Sequence, residues 1–235
     1  MSVSLIVTIA VVIFLLIFLV VGCARGGLRI ILTTFSMLIT LLLAGALASP
    51  ISNYVETKTG IGTQIQNRIQ NFVSGQMDGL SDTVQDAEDS LIAALPLPAS
   101  LKQDLMDRNT VAGYLDSGVS SFSEYIAVNL THLIVWILCY VLLFIVIFLI
   151  IRLILRLSHV VNHIPLLGGI NRLIGGIFGL AEGLLFLWMI CLIIMMMAGT
   201  EFGNSCEKII KDSVFLTFLY EHNYLLVIIN SIIKK

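Results

Sequence analysis

Long uninterrupted apolar runs alternate with polar segments along the chain. Four of them reach the roughly 20 residues that a helix needs to cross a hydrocarbon core of about 30 Å. They are residues 3–21, 28–48, 127–151 and 173–198. Leu, Ile, Val and Phe fill them without the apolar–polar alternation of a membrane β-barrel. The sequence therefore predicts an all-α polytopic membrane protein with four transmembrane helices in two hairpins, 1–48 and 126–198.

The segment between the hairpins, residues 49–125, has a weaker amphipathic pattern. Ile61, Ile65, Ile69 and Phe72 fall near one helical face, and the stretch LPLPAS interrupts the pattern before a second amphipathic stretch. We expect an acidic helical insert outside the membrane. A small cap on the membrane helices is the favoured interpretation, and an insert that recognises a partner is the alternative.

The tail, residues 199–235, contains the apolar stretch VFLTFLYEHNYLLVIINSII. This stretch approaches spanning length, but Glu221, His222 and Asn223 lie in its middle, and a central acid costs about 2.5–3.5 kcal/mol on insertion scales. An amphipathic tail on the outer membrane surface is therefore expected, with a fifth span over 213–233 as the alternative.

The charges of the connecting segments predict the orientation. Arg25 and Arg29 follow the first run and Arg152, Arg156 and Arg172 follow the third, with no acid among them, so both short loops should face the cytoplasm. The insert carries four cations against ten acids, a net charge of −6, and should lie outside. Both termini are then expected to be extracytoplasmic.

The stretch FLVVGCARGGLR at the end of the first run has two readings. Cys23 after small and apolar residues resembles a lipoprotein cleavage box, but a signal peptide needs cations before its apolar core, and here they follow it. The favoured interpretation is a tight hairpin turn, in which Gly26 and Gly27 permit an unusual backbone and the arginines anchor in lipid headgroups.

Composition narrows the class of protein further. Hydrophobic residues make up 58% of the 235 residues and charged residues only 12%, which is typical of a membrane protein. A basic patch is lacking, so nucleic acid is not an expected partner. Motifs of metalloproteases, P-loop enzymes, hydrolases and dinucleotide enzymes are also lacking, so neither catalysis nor a cofactor is expected. His159 and His163 stand four residues apart without an evident third ligand, and no metal site is predicted.

Small residues recur at helical spacing in two of the apolar runs. Gly175, Gly179 and Gly183 form a groove that admits another helix backbone at short distance. The second run has a face of small residues that includes Thr33, Ser36 and Thr40, and this face is the expected partner of the glycine groove. A hydrophilic conduit between the two helices is the alternative. Leu187 is expected to face lipid.

Glu182 lies in the middle third of the fourth run, on nearly the same face as the glycines. Acids inside a bilayer rarely face lipid; they pair, become protonated or line a wet path. Structural pairing is the favoured interpretation of Glu182. Ion or proton passage is the alternative.

Two motifs carry a resemblance to a known family. They are RGGLRIIL, which contains Arg25, Gly26 and Arg29, and PLLGGINRLIGGIFGLAEGLL, which contains Pro165, Gly168, Asn171 and Arg172. With the tail stretch SVFLTFLYEHNYLL, they make the chain resemble the colicin V production protein (CvpA-like) family of bacterial inner-membrane proteins.

The resemblance implies four membrane helices and a role in producing or exporting a peptide toxin and in maintaining the envelope. Similar domains occur fused to extracytoplasmic proteases, which suggests a non-enzymatic scaffold or accessory factor; a small channel or transporter that uses the Glu182 face is the alternative. The expected partners are the lipid bilayer and either a second copy or a membrane or extracytoplasmic protein. Glu182 departs from the family, which often has Arg or Lys there, and the insert is longer than in compact members.

Overall fold

The computed structural model describes residues 2–77, 84–95, 97–157, 169–197 and 200–226, and every regular element in them is an α-helix. The bounds of the ten helices follow in chain order: α1 Val3–Arg25, α2 Gly27–Lys58, α3 Ile61–Met77, α4 Val84–Ala94, α5 Ala99–Asp107, α6 Val111–Ser117, α7 Phe122–Leu157, α8 Gly169–Met196, α9 Glu201–Lys211 and α10 Val214–Glu221.

Four helices in the described part of the chain, α1, α2, α7 and α8, are long and apolar enough to cross a membrane. The all-α fold with four candidate spans is therefore confirmed. All four helices are longer than the apolar runs that predicted them. The second helix continues beyond residue 48 through Pro50 to Lys58, and α7 begins at Phe122 and ends at Leu157. Backbone hydrogen bonding continues a helix into polar sequence, so hydropathy alone underestimates its length.

The chain divides into two compact units. The first contains Met1–Ala48, Tyr140–Leu192 and Ile209–Lys235. Its described core includes Ile30, Met37, Phe144 and Met189, all nearly buried. Fully buried residues make up only 6% of the most apolar window of α1. Exposed and half-buried side chains alternate along α1, and the half-buried ones include Leu15 and Phe18, which lie against α8.

The second unit contains Ser49–Cys139 and Ile193–Lys208, so it includes the acidic insert. The insert forms the helices α3 to α6, and its core includes Val73, Ile92, Leu101 and Tyr125. The break expected at LPLPAS lies between α4 and α5, where Pro98 caps the start of α5.

One polar cluster joins three parts of the insert. The buried Asn109 side chain donates a hydrogen bond to Glu88 at 3.0 Å and accepts one from the Tyr114 hydroxyl at 2.6 Å. Burial, together with the nearby Glu88 carboxylate, raises the pKa of Tyr114 to about 12. The Tyr114 hydroxyl therefore stays protonated and remains a hydrogen-bond donor at neutral pH.

The tail does not form one long helix in the described residues. The eight-residue α10 ends at Glu221, and the chain turns at His222 and Asn223 before residues 224–226 become helical again. A helix of eight residues is about 12 Å long, far short of a hydrocarbon core. The turn coincides with Glu221, His222 and Asn223, the polar residues in the middle of the apolar tail stretch. Residues 227–233 of the suggested fifth span lie outside the described part.

Candidate functional site

The candidate site of the first unit begins at the turn between α1 and α2. Gly26 is the single residue that separates the two helices, and its φ of 81° lies in a region that favours glycine. Its N–H donates to the carbonyl of Gly22 at 3.1 Å. The stretch FLVVGCARGGLR therefore forms a tight helix–helix turn.

The glycine face of α8 lies directly against α1. A Cβ atom on Gly175 would meet the carbonyl oxygen of Gly22, and one on Gly179 would meet the carbonyl oxygen of Phe18 and, at 3.0 Å, the Cα of Gly22. The obstacle in both cases is backbone, which cannot rotate away. Only glycine permits this separation between α1 and α8, and the short distance supplies the dispersion contacts that hold helices together in lipid.

Gly183 faces the same helix through a softer contact. A Cβ atom there would lie 3.0 Å from the side chain of Phe18 and 3.4 Å from Leu15. These distances are longer than those to the backbone oxygens that a Cβ on Gly175 or Gly179 would meet, so Gly183 is the most tolerant of the three positions. Gly176, beside the groove, faces the thiol of Cys23, whose sulfur would be 2.6 Å from an added Cβ.

The predicted partner of the glycine groove is wrong. The atoms nearest to Gly175, Gly179 and Gly183 belong to α1 instead of the small-residue face of α2. The sequence does contain the overlooked signal, because Gly22 and Gly26 are themselves four residues apart at the end of α1. Two glycine faces that meet each other allow a closer approach than glycine against threonine or serine.

The three hydroxyl groups of the predicted small-residue face of α2 bond to their own helix. Thr33 donates to the carbonyl of Ile30, Ser36 to that of Leu32 and Thr40 to that of Ser36, each at 2.8 Å. A hydroxyl that is bonded in this way needs no water or partner helix to be satisfied. This bonding supplies no polar lining for the conduit that the sequence left open.

Glu182 forms an ion pair with Arg152 of α7. The Nη2 atom of Arg152 donates to Oε1 of Glu182 at 2.9 Å, and the exposed fractions of the two side chains differ widely, at 3% for Glu182 and 39% for Arg152. The sequence placed Arg152 in a cytoplasmic loop, which is wrong because α7 continues to Leu157. A helical position allows the guanidinium to reach the buried carboxylate.

An aromatic ring packs against the cation of the ion pair, and further rings continue from it. The guanidinium carbon of Arg152 lies 5.0 Å from the ring centroid of Phe148, within the range of a cation–π interaction. The Phe148 ring meets Phe186 edge-on at 5.8 Å, and Phe186 in turn lies 5.7 Å from Phe18 of the glycine contact. The ion pair and the glycine contact are therefore joined by packed rings. Leu187, expected to face lipid, is instead 8% exposed and buried in protein.

The family-motif residues that the structure describes meet at one end of the first unit. Gly27, beside the turn, lies so close to the first turn of α8 that an added Cβ would be 2.9 Å from the carbonyl oxygen of Asn171. Arg25, Arg29 and Arg172 are exposed around this contact, while Gly26 is buried. Pro165 and Gly168, like His159 and His163, lie outside the described residues.

Two contacts of the tail were not anticipated from sequence. The Ser213 and Thr8 hydroxyls share a hydrogen bond of 2.9 Å. Asn223, 2% exposed, donates from Nδ2 to the carbonyl of Trp188 at 3.1 Å and accepts from the N–H of Leu225. The polar group that interrupts the apolar tail therefore includes an anchor to α8.

Potential reactive groups are dispersed. Within the ranges that the structure describes, no three His, Cys, Asp or Glu side chains gather closely enough to hold a metal ion. All four cysteines are free. The geometry of this site is that of a packed, charge-compensated helix assembly.

The model of the colicin V production protein family matches residues 109–223 of the chain. The matched range includes α7, α8 and the tail helices, together with the Gly175–Gly183 face and the Glu182–Arg152 pair; the motif at Arg25–Arg29 lies outside it. No curated protein and no solved structure matches the chain. The matched range is just under half of the chain, and over this range the chain is similar to the colicin V production protein family; the four long apolar helices are those of a multi-pass membrane protein.

Proposed function

We propose that this chain, which is similar to the colicin V production protein family, is a non-enzymatic scaffold or accessory factor that supports toxin production or export and envelope homeostasis. The observation that carries the proposal is the ion pair between the buried Glu182 and Arg152. The carboxylate that a conducting path would use is engaged at 2.9 Å by a cation, which itself packs on the Phe148 ring. Such an arrangement favours a rigid packing element over a water-lined path.

A scaffold also needs a surface for its partner, and we assign this role to the insert. Val111 and Leu115 are one turn apart on α6, and their exposed fractions of 77% and 76% are high for apolar side chains. The insert has a net charge of −6. An apolar pair on an acidic surface fits an extracytoplasmic or membrane protein partner better than an anionic headgroup layer.

The role in toxin release is tested in cells that make a colicin V-type toxin. Deleting the gene should lower the toxin activity in the medium, and both the wild-type chain and the Glu182→Gln variant should restore it, because a scaffold does not need a titrating carboxylate. The purified chain in liposomes should move no protons. Proton flux in the wild type that is lost in Glu182→Gln, together with lost toxin release, would refute the scaffold.

Partner capture then tests the surface. A photoreactive amino acid at Leu115 should crosslink one protein reproducibly in native membranes, and the same amino acid at the exposed Thr63 of α3 is the matched control. Equal crosslinking patterns at the two positions would remove α6 from the proposal.

The proposed location is the bacterial inner membrane with both termini extracytoplasmic. It is supported by Arg25, Arg29 and Arg172, which are exposed together at one end of the first unit, and by the acidic insert. In a variant without native cysteines, Thr63→Cys should react with a membrane-impermeant maleimide in intact spheroplasts, and Arg29→Cys should react only after lysis. The opposite labelling pattern would reverse the orientation.

A further inference from the structure

The second unit contains an apolar cavity that the scaffold role does not use. Its volume is about 350 Å³, within the size range of small-molecule sites. Residues of α3, α7 and the end of α8 form most of its wall. The lining residues are Ile65, Arg68, Ile69, Phe72, Val73, Leu95, Leu97, Leu130, Leu133, Ile134, Met195, Met196 and Thr200.

The chemistry of the lining is almost entirely hydrocarbon. Only Arg68 and Thr200 have polar side chains, and no lining side chain is acidic. Apolar cavities of this kind exclude water and accept apolar ligands, because a water molecule inside would lack hydrogen-bond partners. The ligand that fits must therefore be apolar over most of its length.

Arg68 gives the cavity a charged rim. Its side chain is exposed, and it has no ion-pair partner among the described residues. A smaller cavity of about 220 Å³ shares Phe72, Val73 and Leu95 with the larger one and includes Glu207 in its wall. The Glu207 carboxylate lies 3.9 Å from the Lys102 ammonium, which compensates its charge, so an anionic group is attracted at the Arg68 side, and this gives a bound ligand one direction.

The length of α8 indicates the depth of the larger cavity. A helix that enters the hydrocarbon core at Arg172 leaves it about 20 residues later, near Leu192. Met195 and Met196 of the cavity wall then fall at the outer polar boundary, where lipid chains and headgroups meet.

We propose that this cavity binds an acyl chain of an anionic lipid, with the anionic headgroup at Arg68. An acyl chain needs no hydrogen-bond partners along its length, which matches the wall. An apolar peptide would bring backbone N–H and C=O groups that the hydrocarbon lining cannot satisfy. Most of the described wall is also helical, and its described residues include no strand edge for a peptide to extend.

The test uses the full-length chain in nanodiscs of zwitterionic lipid and palmitic acid that carries a diazirine near its methyl end. After illumination, the label should be concentrated on Phe72, Met195 or Met196. Unlabelled palmitate and phosphatidylglycerol should compete, and hexadecanol, which lacks the charge, should compete less. Competition by palmitate alone identifies a free fatty acid as the ligand, and competition by both extends the site to a membrane phospholipid.

Two variants test the binding of the acyl chain and the binding of the headgroup separately. Ile69→Trp fills the cavity and should remove the label, whereas Ile61→Trp, on the same helix outside the cavity, should not. Arg68→Gln should weaken palmitate binding about fivefold, as expected for a partly solvated charge contact. Lys58→Gln, another exposed cation of the second unit, should have no effect.

Melting temperatures of all four variants identify any that misfold. Phe72→Trp serves as a second cavity-filling variant if Ile69→Trp is unstable. The proposal would be overturned if the label were spread evenly over the transmembrane helices. It would also be overturned if neither Ile69→Trp nor Phe72→Trp reduced the labelling of the cavity residues. Equal competition by hexadecanol and palmitate would overturn the role of Arg68 and the preference for an anionic ligand.

Discussion

Gly179→Leu is expected to prevent stable packing of α1 on α8, at a cost above about 3 kcal/mol. Even the Cβ of alanine would meet the carbonyl oxygen of Phe18 and, at 3.0 Å, the Cα of Gly22. Because these obstacles are backbone, the helices must separate, and every contact along the groove weakens together. Lipid replaces those contacts poorly, since it does not match the shape of the groove.

The expected order of sensitivity along α8 makes this prediction specific. Alanine at Gly175 or Gly179 should destabilise more than alanine at Gly183, where the added Cβ would lie at the longer distance of 3.0 Å from the Phe18 side chain. Gly169→Ala is the matched control on the same helix, because no atom of the described residues would lie within 4 Å of its Cβ. Equilibrium unfolding in mixed detergent micelles measures the differences. Equal effects at Gly169 and Gly179 would contradict the packing of α1 against this face.

Subunit counting separates folding from assembly. The groove is filled by α1 of the same chain, so Gly179→Leu should lower stability and leave the number of subunits per complex unchanged. A variant of normal stability whose subunit number falls would instead place a second copy in the groove.

The four membrane helices were predictable because each apolar run is long enough to decide the matter alone. The partner of the glycine groove was not, because the spacing of Gly175, Gly179 and Gly183 identifies a surface that accepts a helix without saying which helix. Gly22 and Gly26 carry the missing information, but the sequence pattern assigns a role only to Gly26, in the turn, and none in packing to Gly22. A paired search for four-residue glycine spacing in two different runs would have suggested α1.

The ion pair shows a second limit of sequence reasoning. The unfavourable position of Glu182 predicted that it needs a partner, but the partner is 30 residues earlier in a segment that hydropathy assigned to a loop. The prediction that Leu187 faces lipid is wrong for a related reason, because an apolar residue on a spanning helix is equally compatible with lipid and protein contact. The cavity of the second unit depends on four separate chain segments, and no local pattern encodes such a void.

Arg152→Met is expected to destabilise the first unit more than Glu182→Gln. Removing the cation leaves a carboxylate with an exposed fraction of 3% unpaired, for which about 3 kcal/mol is the lower end of the usual cost. Removing the charge of Glu182 leaves a guanidinium that is 39% exposed and lies over Phe148, so the arginine can turn toward polar headgroups at a cost of about 1 kcal/mol. The asymmetry follows from the burial of the two partners.

The double variant Arg152→Met/Glu182→Gln completes the cycle. It should be more stable than Arg152→Met alone, because no charge is then left unpaired and glutamine retains the shape of glutamate, so the coupling between the two sites should be about 2 kcal/mol. The control variant Arg172→Met, which removes an exposed cation near the start of α8, should change stability little. Unfolding in mixed micelles at neutral pH measures all four variants. Additive effects, or a larger loss for Glu182→Gln than for Arg152→Met, would show that the carboxylate is not held by this arginine and would reopen the interpretation of Glu182 as a group exposed to water.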